Sequence, residues 1–348
     1  MILRNLVQNN PRVPIANLAA SASLSVCLVL AGCGSGVVSN LLPTIKPAVT
    51  TPSGPVLGYI FSPTDGTLRA MLGVRGSAQV SASIVPSGLY VTGETSTASS
   101  SALLEDATGS LFAFNLPNSQ PVHIADGLPA NAHIAFSPSG QTAIAYGAGS
   151  STITLITGLP ATPQIKTINV PATNPLASAV VSDAGTIVIV SSGSPMSVGA
   201  LSPSGQFSRL TTVASLGGLN FVPGSDDVLI ADGAANAVAI IHSVSTSPSS
   251  QPLAVTGLNH PVAVNASQDK RWAIIANGGD AGVVRVDLTA GTTAAKVLCA
   301  CQPSQLSSLS GGNVFRVNAL YGGPLWIVDV TNPTTQLLFV PAIAKGNP

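Results

Sequence analysis

A block of about 43 residues recurs along the chain, and each copy reads as one four-stranded sheet. In one copy Ala135-Phe136-Ser137-Pro138-Ser139-Gly140 leads into an apolar run at 142–146, then a small-residue turn, then a run at 152–156. A second copy passes from 220–226 to 228–231, turns at Asp232-Gly233-Ala234-Ala235-Asn236 and resumes at 237–241. A third passes from 262–269 to 272–276, turns at Asn277-Gly278-Gly279-Asp280 and resumes at 283–288. Repetition of this kind means that units stack side by side, so it constrains the architecture more than any single motif does.

The spacing divides the chain into a hairpin at 56–74 and six units at 77–128, 129–171, 172–214, 215–259, 260–301 and 302–342. The first unit carries an insertion at 96–106, whose Glu94, Glu105 and Asp106 read as part of a solvated, Ser-rich loop. Turn chemistry supports hairpins. Ser137-Pro138-Ser139-Gly140 has the Ser, Pro and Gly placement of a type I turn, and Val85-Pro86-Ser87-Gly88 and Ser202-Pro203-Ser204-Gly205 repeat it. Runs such as Ile187-Val188-Ile189-Val190 are apolar on both faces, as a strand covered on both sides must be.

Composition agrees. Of 348 residues only 7% are charged, against roughly 25% in an average globular protein, while 34 are Gly and 27 Pro. Ser, Thr, Gly, Asn and Ala therefore supply the surface, and short strands with tight turns are favoured over helices. Lys+Arg and Asp+Glu balance at 13 each and no basic run occurs, so nothing here attracts nucleic acid.

At the N-terminus Arg4 and Arg12 precede an apolar segment at 18–31 that ends in Leu30-Ala31-Gly32-Cys33. A basic stretch before a short apolar one reads as an export signal. The tetrapeptide resembles the lipobox of bacterial lipoproteins. The resemblance implies cleavage before Cys33 and acylation of that residue, with the membrane as a partner through the lipid anchor and the cell envelope as location. An ordinary secretory signal is the alternative. Residues 1–32 are thus a signal peptide, 33–55 a Gly/Ser/Thr/Pro tether, and 56–348 the folded domain.

The pattern carried by 261–287, with Ala276-Asn277-Gly278 at the turn and Val284-Arg285-Val286-Asp287-Leu288 as third strand, resembles the YVTN and lactonase-like β-propellers of bacteria. The resemblance covers most of the chain after Val56 and implies an all-β propeller of about seven blades, six of them full four-stranded repeats plus the N-terminal hairpin. A six-bladed ring with an N-terminal extension is the alternative.

In such a ring the starts of the innermost strands and the turns between second and third strands share one face. Asn131, His133 and His260 fall at the former, Asp232, Asn236, Asn277 and Asp280 at the latter. Carboxylates, amides and imidazoles around a channel suit a sugar or a hard cation. The lactonase resemblance implies a divalent ion there, Ca or Mn, although the residues themselves call for no cofactor. Asn, Asp and Gly at turns are also simply turn formers, and a His at a strand end is also a structural hydrogen-bonder. Cys299 and Cys301 fall on one face of an expected fourth strand, as two buried thiols or as a Cys-x-Cys disulfide. No Gly-x-Ser-x-Gly elbow, phosphate loop or His-Glu-x-x-His motif occurs. Three readings stand: a lipid-anchored module binding a protein, glycan or small molecule, a metal-dependent lactonase-like hydrolase, and a structural envelope component whose uncharged Ser/Thr surface suits crowded surroundings.

Overall fold

The computed structural model describes residues 54–117, 120–171, 174–321 and 323–342. The signal-like segment, Cys33 and the tether as far as Ser53 lie outside the described residues. Twenty-seven strands form seven antiparallel sheets, each a meander in chain order, and no helix occurs among the described residues. The fold is a seven-bladed β-propeller.

Blade 1 consists of Val56–Ser62, Thr67–Val74 and Ser77–Ser83. Blade 2 runs through Tyr90–Ser96, Ser101–Asp106, Leu111–Asn115 and Val122–Ala125, and blade 3 through His133–Phe136, Thr142–Tyr146, Thr152–Thr157 and Gln164–Asn169. Blade 4 has Leu176–Val181, Ile187–Ser191, Met196–Leu201 and Phe207–Val213. Blade 5 has Leu216–Phe221, Val228–Asp232, Ala237–His242 and Ser249–Pro252. Blade 6 has Pro261–Ala266, Trp272–Asn277, Gly282–Asp287 and Thr292–Leu298, and blade 7 has Ser307–Ser308, Val314–Arg316, Leu325–Asp329 and Gln336–Val340.

Two unit boundaries differ from the sequence reading. Ser77–Ser83 pairs with Thr67–Val74 and belongs to blade 1, which has three strands among the described residues rather than a hairpin's two. The turn-like Val85-Pro86-Ser87-Gly88 therefore links two blades and sits in no hairpin. The expected insertion at 96–106 is the turn and second strand of blade 2, since Ser101–Asp106 pairs on both sides with Tyr90–Ser96 and Leu111–Asn115. Its four leading apolar and small residues, Ser101 to Leu104, are buried.

The first-to-second turns of blades 3, 4 and 6 are each fixed by the serine that opens them. The buried hydroxyls of Ser137, Ser182 and Ser267 accept the amides of Thr142 (3.3 Å), Thr186 (3.0 Å) and Trp272 (2.9 Å). The same serines' carbonyls accept the amides of Gly140, Gly185 and Lys270, all three at positive φ. This is the physical content of the repeated Ser-x-x-Gly: a side-chain acceptor closes the turn, and Gly takes the left-handed position without cost from a Cβ.

The apolar residues collect into seven clusters, one in each space between neighbouring blades. Blades 3 and 4, for example, interleave Ile144, Leu155 and Ile168 with Leu176, Val181 and Ile189. The last space, between blades 7 and 1, holds Leu57, Ile60 and Met71 against Leu309, Leu325 and Ile327. There the Ser310 amide bonds to the Leu57 carbonyl at 2.7 Å and Arg75 pairs with Asp329 at 3.2 Å, so the chain ends meet across an ordinary blade contact.

First strands begin with a bulge in blades 1, 2, 4, 5 and 6. A bulge adds twist, which a crowded axis requires. Contact between first strands is tightest from blade 5 to blade 6, where a Cβ on Gly218 would lie 2.6 Å from the Val264 nitrogen and 2.9 Å from the Ala263 Cα. Backbone cannot swing aside as a side chain can. Gly218→Ala is expected to destabilise the protein by about 1–3 kcal/mol, the usual cost of overpacking. Urea unfolding of the variant beside the wild type measures this, and an unchanged midpoint would show that the two blades have slack.

Candidate functional site

The first strands surround a cavity of about 730 Å³ at the ring's centre. It opens at the face of the first-to-second turns, with Ser137, Ser139 and Gln141 of blade 3, Pro223 of blade 5, Gln268 of blade 6 and Ser310 to Gly312 of blade 7 around it. Deeper lining comes from Glu94 to Thr97, Ile134 to Phe136, Val180, Leu219 to Phe221, Asn265 and Leu306 to Ser308.

The polar lining divides in two. Asn265, 7% exposed, is committed to the ring: its Nδ2 donates to the Leu306 carbonyl at 3.0 Å and its Oδ1 accepts the Ala266 amide at 2.8 Å. The side-chain amides of Gln141, Asn220 and Gln268 line the cavity without a hydrogen bond to another described residue. Hydroxyls of Thr97, Ser137 and Ser307 sit among them. Glu94 is the one ionisable residue in the lining. Burial pushes its carboxyl above the ordinary range, against the opposing pull of the Arg316 charge and of the Thr95 amide. Arg316 is buried behind Ser307, whose hydroxyl accepts from its Nη2 at 3.2 Å, while its Nη1 reaches the Asn318 carbonyl at 3.4 Å. Burial pulls the guanidinium below its usual value, offset by Glu94. The result is an interior rich in neutral donors and acceptors, with its two charges held at one side.

None of the candidates drawn from sequence lines this cavity. They share the opposite face, as their placement at strand starts and second-to-third turns predicts; there Asp232, Asn236, Asn277 and Asp280 join turns and blades, while Asn277 Oδ1 and Asp280 Oδ1 are buried with no partner among the described residues. Asn131 and His260 occupy the matching position ahead of the first strand, both in left-handed backbone, with φ of 57° and 48°. Asn236 takes φ 51° and its Oδ1 accepts the His260 amide at 2.6 Å, tying blade 5 to blade 6. His133 is exposed and stacks on Tyr146, ring centroids 5.3 Å apart. The Asp232 carboxylate accepts four backbone amides, those of Ala214, Ser215, Ala234 and Ala235, at 2.6–3.2 Å. Burial alone would raise its pKa, but those amides together hold it below the ordinary value. Asp280 binds Lys296 at 2.5 Å, and Lys296 and the buried Asn277 both donate to the Gly257 carbonyl at 2.9 Å. Burial of Asp280 works against Lys296, and the lysine prevails, leaving the carboxyl below its usual range. Among the described residues no three His, Cys, Asp or Glu side chains gather as a metal site.

Cys299 and Cys301 are joined as a disulfide, Cα atoms 5.1 Å apart. They lie past the end of Thr292–Leu298, in the passage to blade 7, and so do not share a strand face as expected. The bent path brings the Cα atoms closer than the roughly 7 Å of an extended strand.

The supposed loop acids are also placed differently. Glu94 is in the first strand of blade 2, and Glu105, at 0% exposure, ends up between blades 2 and 3, where its Oε2 accepts the Ala132 amide at 2.8 Å. Its Oε1 is buried with no partner among the described residues. Asp106 does cap an exposed turn, accepting the amides of Thr108 and Ser110. The sequence candidates and the cavity residues Glu94, Asn220 and Gln268 lie at opposite ends of the ring, because the sequence reading placed a ligand at the starts of the first strands and the cavity opens at the first-to-second turns. The one available signal was the turn motif itself, whose serines surround the mouth of the cavity.

Burial raises the Glu105 pKa above its ordinary 4.5, with the Ala132 amide opposing. The folded protein therefore holds this proton more tightly than the unfolded chain does. Its contribution to stability is complete below the unfolded value and is lost as pH rises through the folded one. Glu105→Gln keeps the acceptor for Ala132 and removes the titration. Between about pH 5 and 8 the wild type is expected to lose stability relative to this variant. Denaturant midpoints at both pH values measure it, and parallel curves would contradict the assignment.

No family model matches the sequence, and no curated protein matches it. Solved structures do match. A functionally unknown protein from Desulfotomaculum acetoxidans superposes with TM-score 0.59 at 14% identity, over 84% of this chain and 96% of that one. The β-propeller domain of Cps50 (Swd1) from Myceliophteria thermophila superposes with TM-score 0.54 at 11% identity, over 73% of this chain and 88% of that one. At such identities the likeness shows the fold alone, and the fold it shows is the β-propeller.

Proposed function

We propose that this chain is an exported, lipid-anchored binding module of the YVTN propeller type that holds an uncharged, hydroxyl-rich ligand, such as the end of a glycan, in its central cavity. The observation that carries the reading is a cavity of about 730 Å³ lined by Gln141, Asn220 and Gln268, whose side-chain amides have no partner among the described residues, together with several hydroxyl residues. A volume of that order suits a small ligand, and neutral donors and acceptors suit a neutral one. The export and anchoring part rests on Arg4, Arg12 and the sequence Leu30-Ala31-Gly32-Cys33. The hydrolase alternative draws no support from its own candidates, since Asp232 is engaged by four amides and Asp280 by Lys296.

Glycan-array binding of the detergent-solubilised full chain, followed by calorimetry on the best hit, tests the ligand class. Asn220→Trp and Gln268→Trp fill the cavity from two blades and are each expected to weaken that hit at least about tenfold, the loss of one or two good polar contacts plus steric block. Binding that survives both substitutions would place the ligand elsewhere. Labelling with a radioactive fatty acid tests the anchor: the wild type takes up label and Cys33→Ser does not. Equal labelling of the two would remove Cys33 as the acylated residue.

A further inference from the structure

Neutral amides, hydroxyls and apolar groups line the central cavity, with one exception. Glu94, on the first strand of blade 2, is the one ionisable residue in the lining. One of its oxygens is spent, since Oε1 accepts the Thr95 amide at 3.2 Å. Oε2 has no hydrogen-bond partner among the described residues and, unlike the Oε1 of Glu105, is not sealed from solvent. A hydrogen bond to a carboxylate is roughly twice as strong as one between neutral groups. The strongest acceptor in the cavity is therefore unused by the fold.

The strand of Glu94 packs against the first strand of blade 1, the second strand of blade 2 and the first strand of blade 3. Their titratable side chains are Tyr59, Glu105, Asp106 and His133, and blade 7 adds Arg316. Of these, only Arg316 acts on the charge of Glu94. The arginine is 6% exposed, and its Nε is buried without a partner among the described residues. With Glu94 ionised, the two charges offset each other. A ligand hydroxyl at Oε2 adds a donor and no charge. A ligand carboxylate or phosphate there meets like charge in a partly enclosed space, where repulsion is weakly screened. Protonation of Glu94 weakens the acceptor and leaves Arg316 without its counter-charge. Burial already holds the Glu94 carboxyl above its ordinary range, which brings that change within reach of mild acid.

We propose that Glu94 sets the ligand class of the cavity: its ionised Oε2 accepts a hydroxyl of a neutral ligand, turns anions away, and lets the ligand go once protonated. This rests on the cavity being the ligand site. Because the ligand binds the ionised form, affinity is complete above the pKa of Glu94 and falls as pH drops through it. The test is calorimetry on the detergent-solubilised full chain at about pH 8 and about pH 5, with the glycan that ranks first on the array. The wild type is expected to bind at least about threefold more weakly at the lower pH. Glu94→Gln keeps the size and one acceptor, and is expected to bind about tenfold more weakly than the wild type at the higher pH, with equal affinity at both. Glu94→Asp keeps a carboxylate and is expected to retain a pH dependence, which a merely structural Glu94 would not explain. Wild-type affinity that is flat or tighter in acid, a pH dependence that survives in Glu94→Gln, or an acidic glycan that outranks every neutral one overturns the proposal. If Asn220→Trp and Gln268→Trp still weaken that binding, the cavity stands as the ligand site and the role of Glu94 alone falls. No glycan bound at either pH, or one indifferent to both tryptophans, overturns the two together.

Discussion

Face-to-face packing of sheets that are apolar on both sides is the constraint on which this ring rests. The second strands Thr142–Tyr146, Ile187–Ser191 and Trp272–Asn277 are buried along their whole length. A sheet built around such a strand needs a cover on each side, and a linear stack always leaves two faces bare. Each Ile, Val or Leu left on a bare face forgoes roughly 1.5–3 kcal/mol. Closing the stack on itself removes both bare faces at once. Blade 7 meets blade 1 through the same kind of cluster that joins the others, so the chain needs no shared sheet to close.

With charges scarce, buried ones such as Arg285 and Glu105 are positioned by backbone groups, while Asp329 is paired with Arg75. Arg285, 5% exposed on the third strand of blade 6, donates to the carbonyls of Asn332 and Pro333 in blade 7 and lies 4.3 Å over the Trp272 ring. Arg271 stacks on the same indole at 4.4 Å, and the repulsion between the two cations adds to burial in lowering the Arg285 pKa. The arginine reaches across a blade boundary and its cation–π contact sits on its own sheet, so it acts as a rivet between blades 6 and 7. Alternation along Val284 to Leu288 placed Arg285 and Asp287 together on one face, but only the neighbouring blade shows that this face is covered.

The sequence made the repeat, the strand order within a unit and the left-handed turn positions legible, because each is local. Ser137, Ser182 and Ser267 act within a few residues of where they stand, and the pattern they leave is readable. Where a turn signal occurs out of phase, as at Val85 to Gly88, local reading shifts the unit boundary and makes Ser101–Asp106 look inserted. Depth and partnership were not legible. Glu94 and Glu105 sit in a polar-looking stretch, yet one points into the central cavity and the other is closed between two blades. The ligand candidates lie in the turns expected of them, but which end of the ring holds the open cavity is set by seven blades together and leaves no local mark.

The two ends of the ring divide the labour, and the reason lies in how the chain moves from blade to blade. Every outer strand ends at the face where the next first strand begins, so that face must anchor each crossing. Its polar side chains are accordingly used as fasteners: Glu105 takes the amide of Ala132, Asn236 that of His260, and Asp232 those of Ala214 and Ser215. The opposite face carries hairpin turns, and these are joined turn to turn: Asp183 accepts the Ser139 amide, Asn313 that of Gln268, and Lys270 donates to the Gly224 carbonyl. The side chains of Gln141, Asn220 and Gln268 take no part in these links and line the centre. A meandering ring thus makes all its crossings between blades at one face, and at the other the side chains that line the centre can stay out of the links between turns.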